Sequence, residues 1–167
     1  GWGTQTLADG SYTILELYPG NYRVQAGGLC YVPEYYDGVH GWDQAARVPV
    51  VPPNDTPGID FALELGGSIS GVVRDEAGNP IGGANVRAWE YSTGESFGGV
   101  QSAGNGSYTL CGLPSGNYRV RAKAGCYVRE LYNNAYHWDA ATPVPVTAPN
   151  NAGNIDFTLE VGGSISG

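Results

Sequence analysis

The fold class predicted by this sequence is all-β: tandem seven-stranded β-sandwiches on a 96-residue repeat. Three observations carry that expectation. Residues 66–71 and 162–167 both read GGSISG, and the same offset of 96 places NYRV at 21–24 on 117–120 and Cys30-Tyr31-Val32 on Cys126-Tyr127-Val128. It also places Trp42 on Trp138 and Ile59-Asp60-Phe61 on Ile155-Asp156-Phe157, without a gap. A fixed period of this size marks an array of structural repeats. Second, Ile59, Phe61, Leu63, Leu65, Ile69 and Val73 share one parity while Asp60, Glu64, Ser68, Ser70 and Arg74 hold the other, the period-two pattern of half-buried strands. Third, 27 Gly, 11 Pro and 12 Tyr in 167 residues favour many turns and short aromatic strands, and no stretch carries a 3.6-residue apolar period.

The elements follow in order within the intact repeat. Residues 67–74 read as its first strand, and DEAGNPIGG at 75–83 is a turn cluster, because Gly78-Asn79-Pro80 cannot continue a strand. Ala84, Val86 and Ala88 alternate with Asn85, Arg87 and Trp89 as a second strand with small residues inward. Residues 97–102 make a short third strand, and Ala103-Gly104-Asn105-Gly106 is expected to close a hairpin. SYTLCGLPSGNYRVRA at 107–122 is expected as a second hairpin. Tyr108 and Leu110 go inward, Pro114-Ser115-Gly116-Asn117 turns, and Tyr118, Val120 and Ala122 return. A Tyr-rich strand at 126–132, a polar loop at 133–141, a Pro-interrupted edge strand at 142–147 and a last strand at 154–161 complete the repeat.

The domain boundaries follow from the offset. Residues 66–161 form a complete module, and residues 162–167 repeat the first strand of a following one. Residues 1–65 match only the later part of a module and lack its first two strands. That leaves two expectations: an excerpt of a longer array, or a first module completed by strands from another molecule. Only Gly66-Gly67 separates the apolar alternation of one unit from that of the next, which is expected to restrict bending and give a rod.

GGSISGVVRDEAGNPIGGANVRAW followed by NGSYTLCGLPSGNYRVRA resembles the carboxypeptidase regulatory-like repeats. These are prealbumin-like, Ig-like sandwiches related to the B-type repeats of bacterial surface adhesins. ELYNNAYHWDAATPVPV and NIDFTLEVGGSISG look like the versions found in tandem arrays of secreted bacterial and archaeal proteins. The resemblance covers essentially the whole chain. It implies a secreted or cell-surface structural role more than any activity, because function lives in sites and not in folds. The adhesin repeats often carry a Lys–Asn isopeptide bond, but the one lysine, Lys123, has Gly27 as its counterpart, so no module-defining staple of that kind is expected.

With 8 basic against 16 acidic residues and a net charge of −8, the chain lacks the basic surface on which nucleic acids and anionic membranes depend for affinity. No apolar run approaches the length of a membrane-spanning helix. No catalytic group stands out either. His40 and His137 fall one position out of register, and no Ser or Cys sits in a nucleophile motif. Calcium is the one cofactor that the acids admit, through Asp37, Asp43, Asp55, Asp60, Asp139 and Asp156, though no ordered Asp-x-Asp loop is present.

The remaining candidates concern assembly. Cys111 and Cys126 are a candidate disulfide, with free buried thiols as the alternative, and Cys30 is then left for a neighbouring chain. Asn105 and Asn54 stand in glycosylation sequons within turns. Tyr36, Trp42, Tyr132 and Trp138 flank the polar loop as either a sugar-stacking platform or loop packing, and Trp89 faces outward as a candidate contact between modules. Gly162, Gly163, Ser164, Ile165, Ser166 and Gly167 are the candidate assembly strand, with Ile165 matching Ile69 in parity. The sequence is therefore expected to belong to a non-enzymatic extracellular filament, stalk or sheath. Its expected partners are further copies of itself, head to tail, or further repeats of the same chain. The alternative is a carbohydrate-binding accessory module that recognises glycans.

Overall fold

The computed structural model describes residues 2–167. They divide into two compact units. Unit 1 comprises the residues up to Gly27 together with Pro33–Leu63, and unit 2 comprises Gly28–Val32 and Glu64–Gly167. Seven residues of the first sequence copy, 28–32 with Glu64 and Leu65, thus belong with the second unit.

Unit 1 holds four short strands, β1 (Gly20–Tyr22), β2 (Gln25–Ala26), β3 (Glu34–Tyr35) and β4 (Val48–Val50). β1 pairs antiparallel with β4, Tyr22 opposite Val48, and β2 pairs with β3. Both pairings reproduce unit 2, where Tyr118 lies opposite Val144 and Arg121 opposite Leu131.

Unit 2 holds nine strands: β5 (Gly67–Asp75), β6 (Asn85–Glu90), β7 (Ser96–Gln101), β8 (Ser107–Leu113), β9 (Gly116–Lys123), β10 (Glu130–Leu131), β11 (Val144–Val146), β12 (Asn151–Ala152) and β13 (Phe157–Leu159). In one sheet β5 is central, antiparallel to β8 on one side and parallel to β12 and β13 on the other. The second sheet runs β7-β6-β9, with β10 and β11 sharing the outer edge of β9. Ile69, Val73, Tyr108, Leu110, Phe157 and Leu159 from the first sheet meet Val86, Ala88, Tyr118, Val120 and Val144 from the second in one buried core. This is a β-sandwich, and the inward parity read for β5, β6, β8 and β9 is the one observed, whereas Leu65, on the same parity as Ile69, is exposed. Pro145 sits in β11 at the sheet edge, as a residue without an amide proton requires.

Two expected hairpins are corrected. β8 and β9 do not pair with each other, since β8 hydrogen-bonds to β5 and β9 to β6. Residues 114 and 115 therefore carry the chain from one sheet to the other. The turn at 103–106 does the same between β7 and β8. The physical reason is that alternation specifies which face of a strand is buried, and the two facing sheets of a sandwich bury the same kind of face.

Candidate functional site

The glycines of GGSISG explain what β5 does. A Cβ on Gly66 would lie 2.5 Å from the Gly112 carbonyl carbon, one on Gly67 2.4 Å from Val146 Cγ1, and one on Gly71 2.1 Å from the Ile155 carbonyl oxygen. Backbone atoms at Gly66 and Gly71, and the Val146 side chain of the facing sheet at Gly67, approach too closely for any side chain. Between them Ile69 is fully buried, and Ser68 and Ser70 bond through their hydroxyls with the Asn151 side chain. The motif is thus fitted to a slot bounded by β8, β12 and β13.

Unit 1 keeps the walls of that slot. Tyr12 donates to the Ile59 carbonyl at 2.6 Å, as Tyr108 donates to Ile155 at 2.5 Å. Phe61 meets Tyr12 and Tyr36 at 6.3 Å in each case, and Phe157 meets Tyr108 and Tyr132 at 6.3 and 6.2 Å with matching tilts. Trp2 stands edge-on to Tyr22 much as Phe97 does to Tyr118.

What unit 1 lacks, among the described residues, is any strand corresponding to β5 or β6. In their place lies an open groove of about 740 Å³ lined by Tyr12, Ile14, Tyr22, Val24, Ile59 and Phe61 among others. These six are only partly buried, whereas their counterparts Tyr108, Leu110, Tyr118, Val120, Ile155 and Phe157 are all buried. The missing partner also explains why residues 11–17 and 59–63 form no ladder. Their counterparts, β8 and β13, find their ladder bonds on β5. Among the described residues, the first sequence copy thus presents an open groove flanked by segments 11–17 and 59–63, the counterparts of strands that pair with β5.

Residues 162–167 repeat the motif. They form no strand, Ile165 is fully exposed, and added Cβ atoms on Gly163 and Gly167 would meet nothing within 4 Å.

The cysteine expectation is corrected. Cys111 is bonded to Cys30, 81 residues earlier, and Cys126 is free and exposed. Cys111 belongs to the strand fitted against β5, and the segment built beside that strand is residues 28–32, not 124–128. Val32 N–H donates to Glu64 O at 2.9 Å, Gly66 N–H donates to Cys30 O at 2.8 Å, and Tyr31 bridges Leu65. A bulge admits the segment. The register with β5 shifts between Gly67 and Ser68, leaving Gly112 as the extra residue at φ 80°, where a Cβ would come 2.9 Å from Tyr31 O.

The other candidates take structural places. Tyr36 and Tyr132 pack edge-on against Phe61 and Phe157, inside their units. Trp42 and Trp138 stay 56% and 39% exposed, with the guanidiniums of Arg23 and Arg119 over their rings at 4.5 and 4.9 Å. Trp89 points outward as expected, but it is half-buried against Trp138 of its own module, ring centroids 5.4 Å apart, with Arg121 over it. Asn105 is exposed and its Oδ1 accepts from the Ser107 amide and hydroxyl, the turn role that Asp9 plays for Ser11. Asn54 is also exposed. Of the acids, Asp156 accepts from Val72 N–H at 2.8 Å, and among the described residues no three His, Cys, Asp or Glu side chains converge as metal ligands would. No described helix is long and apolar enough to cross a membrane.

Comparison with known proteins gives one family: the carboxypeptidase regulatory-like domain matches residues 68–160. No curated protein matches the chain. Among solved structures, the TIE protein of Bacillus anthracis is 19% identical over 57% of this chain and 16% of its own, with a TM-score of 0.41. A Streptococcal ancillary pilin is 13% identical over 89% of this chain and 47% of its own, TM-score 0.42. A point mutant of the catechol 1,2 dioxygenase of Acinetobacter radioresistens is 17% identical over 60% of this chain and 53% of its own, TM-score 0.35.

Proposed function

Since the chain belongs to the carboxypeptidase regulatory-like domain family, we propose that it is a non-enzymatic structural protein of a secreted or cell-surface filament, stalk or sheath. Its sandwich modules are joined by strands passed from one copy to the next. The observation that carries this reading is the match between the open groove in unit 1 and the second GGSISG at 162–167. Seated as β5 is seated in unit 2, Ile165 lies opposite Ile14, Ser166 opposite Thr13 and Gly167 opposite Tyr12, with Thr56 on the parallel side. Ile165 then enters the groove between Ile14 and Thr56, and the three glycines take the places of Gly66, Gly67 and Gly71, whose close approaches only glycine tolerates. Because donor strand and vacancy are different surfaces of one chain, the contact is head to tail and does not close, which propagates as a fibre. The disulfide agrees with an oxidising, extracellular setting.

Deleting residues 162–167 tests the proposal. By sedimentation and electron microscopy the full chain should assemble and the deleted chain should stay monomeric with an unchanged melting temperature. Assemblies that survive the deletion, or a full chain that is monomeric at every concentration, would eliminate strand exchange.

A further inference from the structure

The Cys30–Cys111 bond lies within unit 2, yet Cys30 comes from the first sequence copy. The first copy therefore carries an outgoing segment, Gly-Leu-Cys-Tyr-Val at 28–32, that is built into the module beginning with the next GGSISG. The second copy carries Ala-Gly-Cys-Tyr-Val at 124–128, already bonded to the residues that lead into the second GGSISG. Val128 N–H donates to Glu160 O at 2.8 Å, Gly162 N–H donates to Cys126 O at 2.8 Å, and Tyr127 bridges Val161. These three contacts repeat those of Val32, Gly66 and Tyr31. One difference is backbone twist: Cys30 lies at φ 65°, while in the second copy the positive φ falls on Gly125 at 21°. The other is that the Cys126 thiol is exposed and unbonded.

The receiving half is also readable. In unit 2 it is Cys111-Gly112, the cysteine supplying the sulfur and the glycine giving room for Tyr31 O. Unit 1 has Leu15-Glu16 at those positions, with Glu16 held at φ 62° where unit 2 has a glycine. Leu15 offers no sulfur, and the Cβ of Glu16 stands where the glycine left space.

From this we infer that the 30/111 pair is a covalent latch between successive modules, that Cys126 is the outgoing half of the next latch, and that its partner is a further module with Cys-Gly at the 111–112 position. Unit 1, with Leu15-Glu16, takes a strand without locking it. The inference rests on the shared-strand reading above and adds to it which partner is held covalently. The chemistry balances through a small-molecule disulfide oxidant. The Cys126 thiol and its partner thiol lose two protons and two electrons, one S–S bond forms, and the oxidant's S–S bond breaks to give two thiols.

The test fuses a second copy of residues 72–161 after Gly167 of the full chain, so that 162–167 becomes the first strand of a complete module. After oxidation with glutathione disulfide, peptide mapping should find Cys126 bonded to the appended cysteine that corresponds to Cys111, leaving one titratable thiol per extended chain. A matched chain with Leu-Glu at the appended Cys-Gly should leave Cys126 titratable. Cys126 titratable in both would overturn the latch. A second arm converts the other acceptor: Leu15→Cys with Glu16→Gly in the original chain should turn reversible assemblies into a ladder of disulfide-linked species on a non-reducing gel, mapped to residues 15 and 126. Filaments that form in this variant without that bond overturn the latch and leave the strand-exchange proposal standing. Bonding of Cys126 in the extended chain, with no assembly of the original one, does the reverse.

Discussion

Replacing Ile165 by alanine separates the stability of the chain from the stability of its assembly. Ile69, the same residue in the filled slot of unit 2, is 0% exposed, whereas Ile165 is fully exposed. Truncating a buried isoleucine to alanine costs about 2–5 kcal/mol, the lost transfer free energy plus the cavity left behind. If Ile165 enters the groove of a neighbouring unit 1, that cost falls entirely on the contact. At about 1.4 kcal/mol per tenfold, the dissociation constant should rise roughly 30-fold or more. The single chain should not register the change, because Ile165 is in solvent there. Sedimentation equilibrium over a concentration series reads the first quantity and thermal unfolding by circular dichroism reads the second. Ile69→Ala serves as the internal contrast, since the same truncation inside unit 2 should lower its unfolding free energy by about 2–5 kcal/mol. Association identical for Ile165→Ala and the unmodified chain would refute the reasoning, as would a fall in the melting temperature of the monomer.

Two further outcomes concern the framework. Tyr108→Phe removes a buried hydroxyl that donates to Ile155 O at 2.5 Å, and should destabilise unit 2 by about 1–3 kcal/mol in denaturant unfolding with an unchanged slope. Glu90 receives the amide of Thr93 and the hydroxyl of Ser92, which hold its carboxyl down at about 2 from a usual 4.5. Its folded-state pKa is depressed, so its contribution is present above about pH 4.5 and lost as pH falls toward 2. Glu90→Gln should flatten that part of the acid-unfolding curve, and a curve of unchanged steepness would show that the turn at 91–95 holds without the carboxylate.

Much of this protein was legible in its residues because it depends on one strand at a time. The 96-residue period, the inward parity of Ala84, Val86 and Ala88 and of Tyr118, Val120 and Ala122, and the edge position of the Pro145 strand all follow from periodicity and local backbone chemistry. That residues 162–167 repeat the GGSISG of 66–71 is read from the sequence in the same way. What only the tertiary structure decided are the properties of pairs. Alternation says that Leu110 and Val120 are buried, but the face is equally apolar in either sheet, so it does not say that β8 and β9 part company at Pro114. Nor does it say that the last strand runs parallel beside β5, which makes the missing element of unit 1 a central strand and not an edge. Three cysteines allow three pairings. The choice of Cys30 over Cys126 is made by the Gly112 bulge, which opens space beside Cys111 for a segment 81 residues away in sequence. The glycines of GGSISG are the clearest case: as residues they read as a spacer, and only the neighbouring atoms packed within 3 Å of where their side chains would be show them to be the shape that the slot accepts.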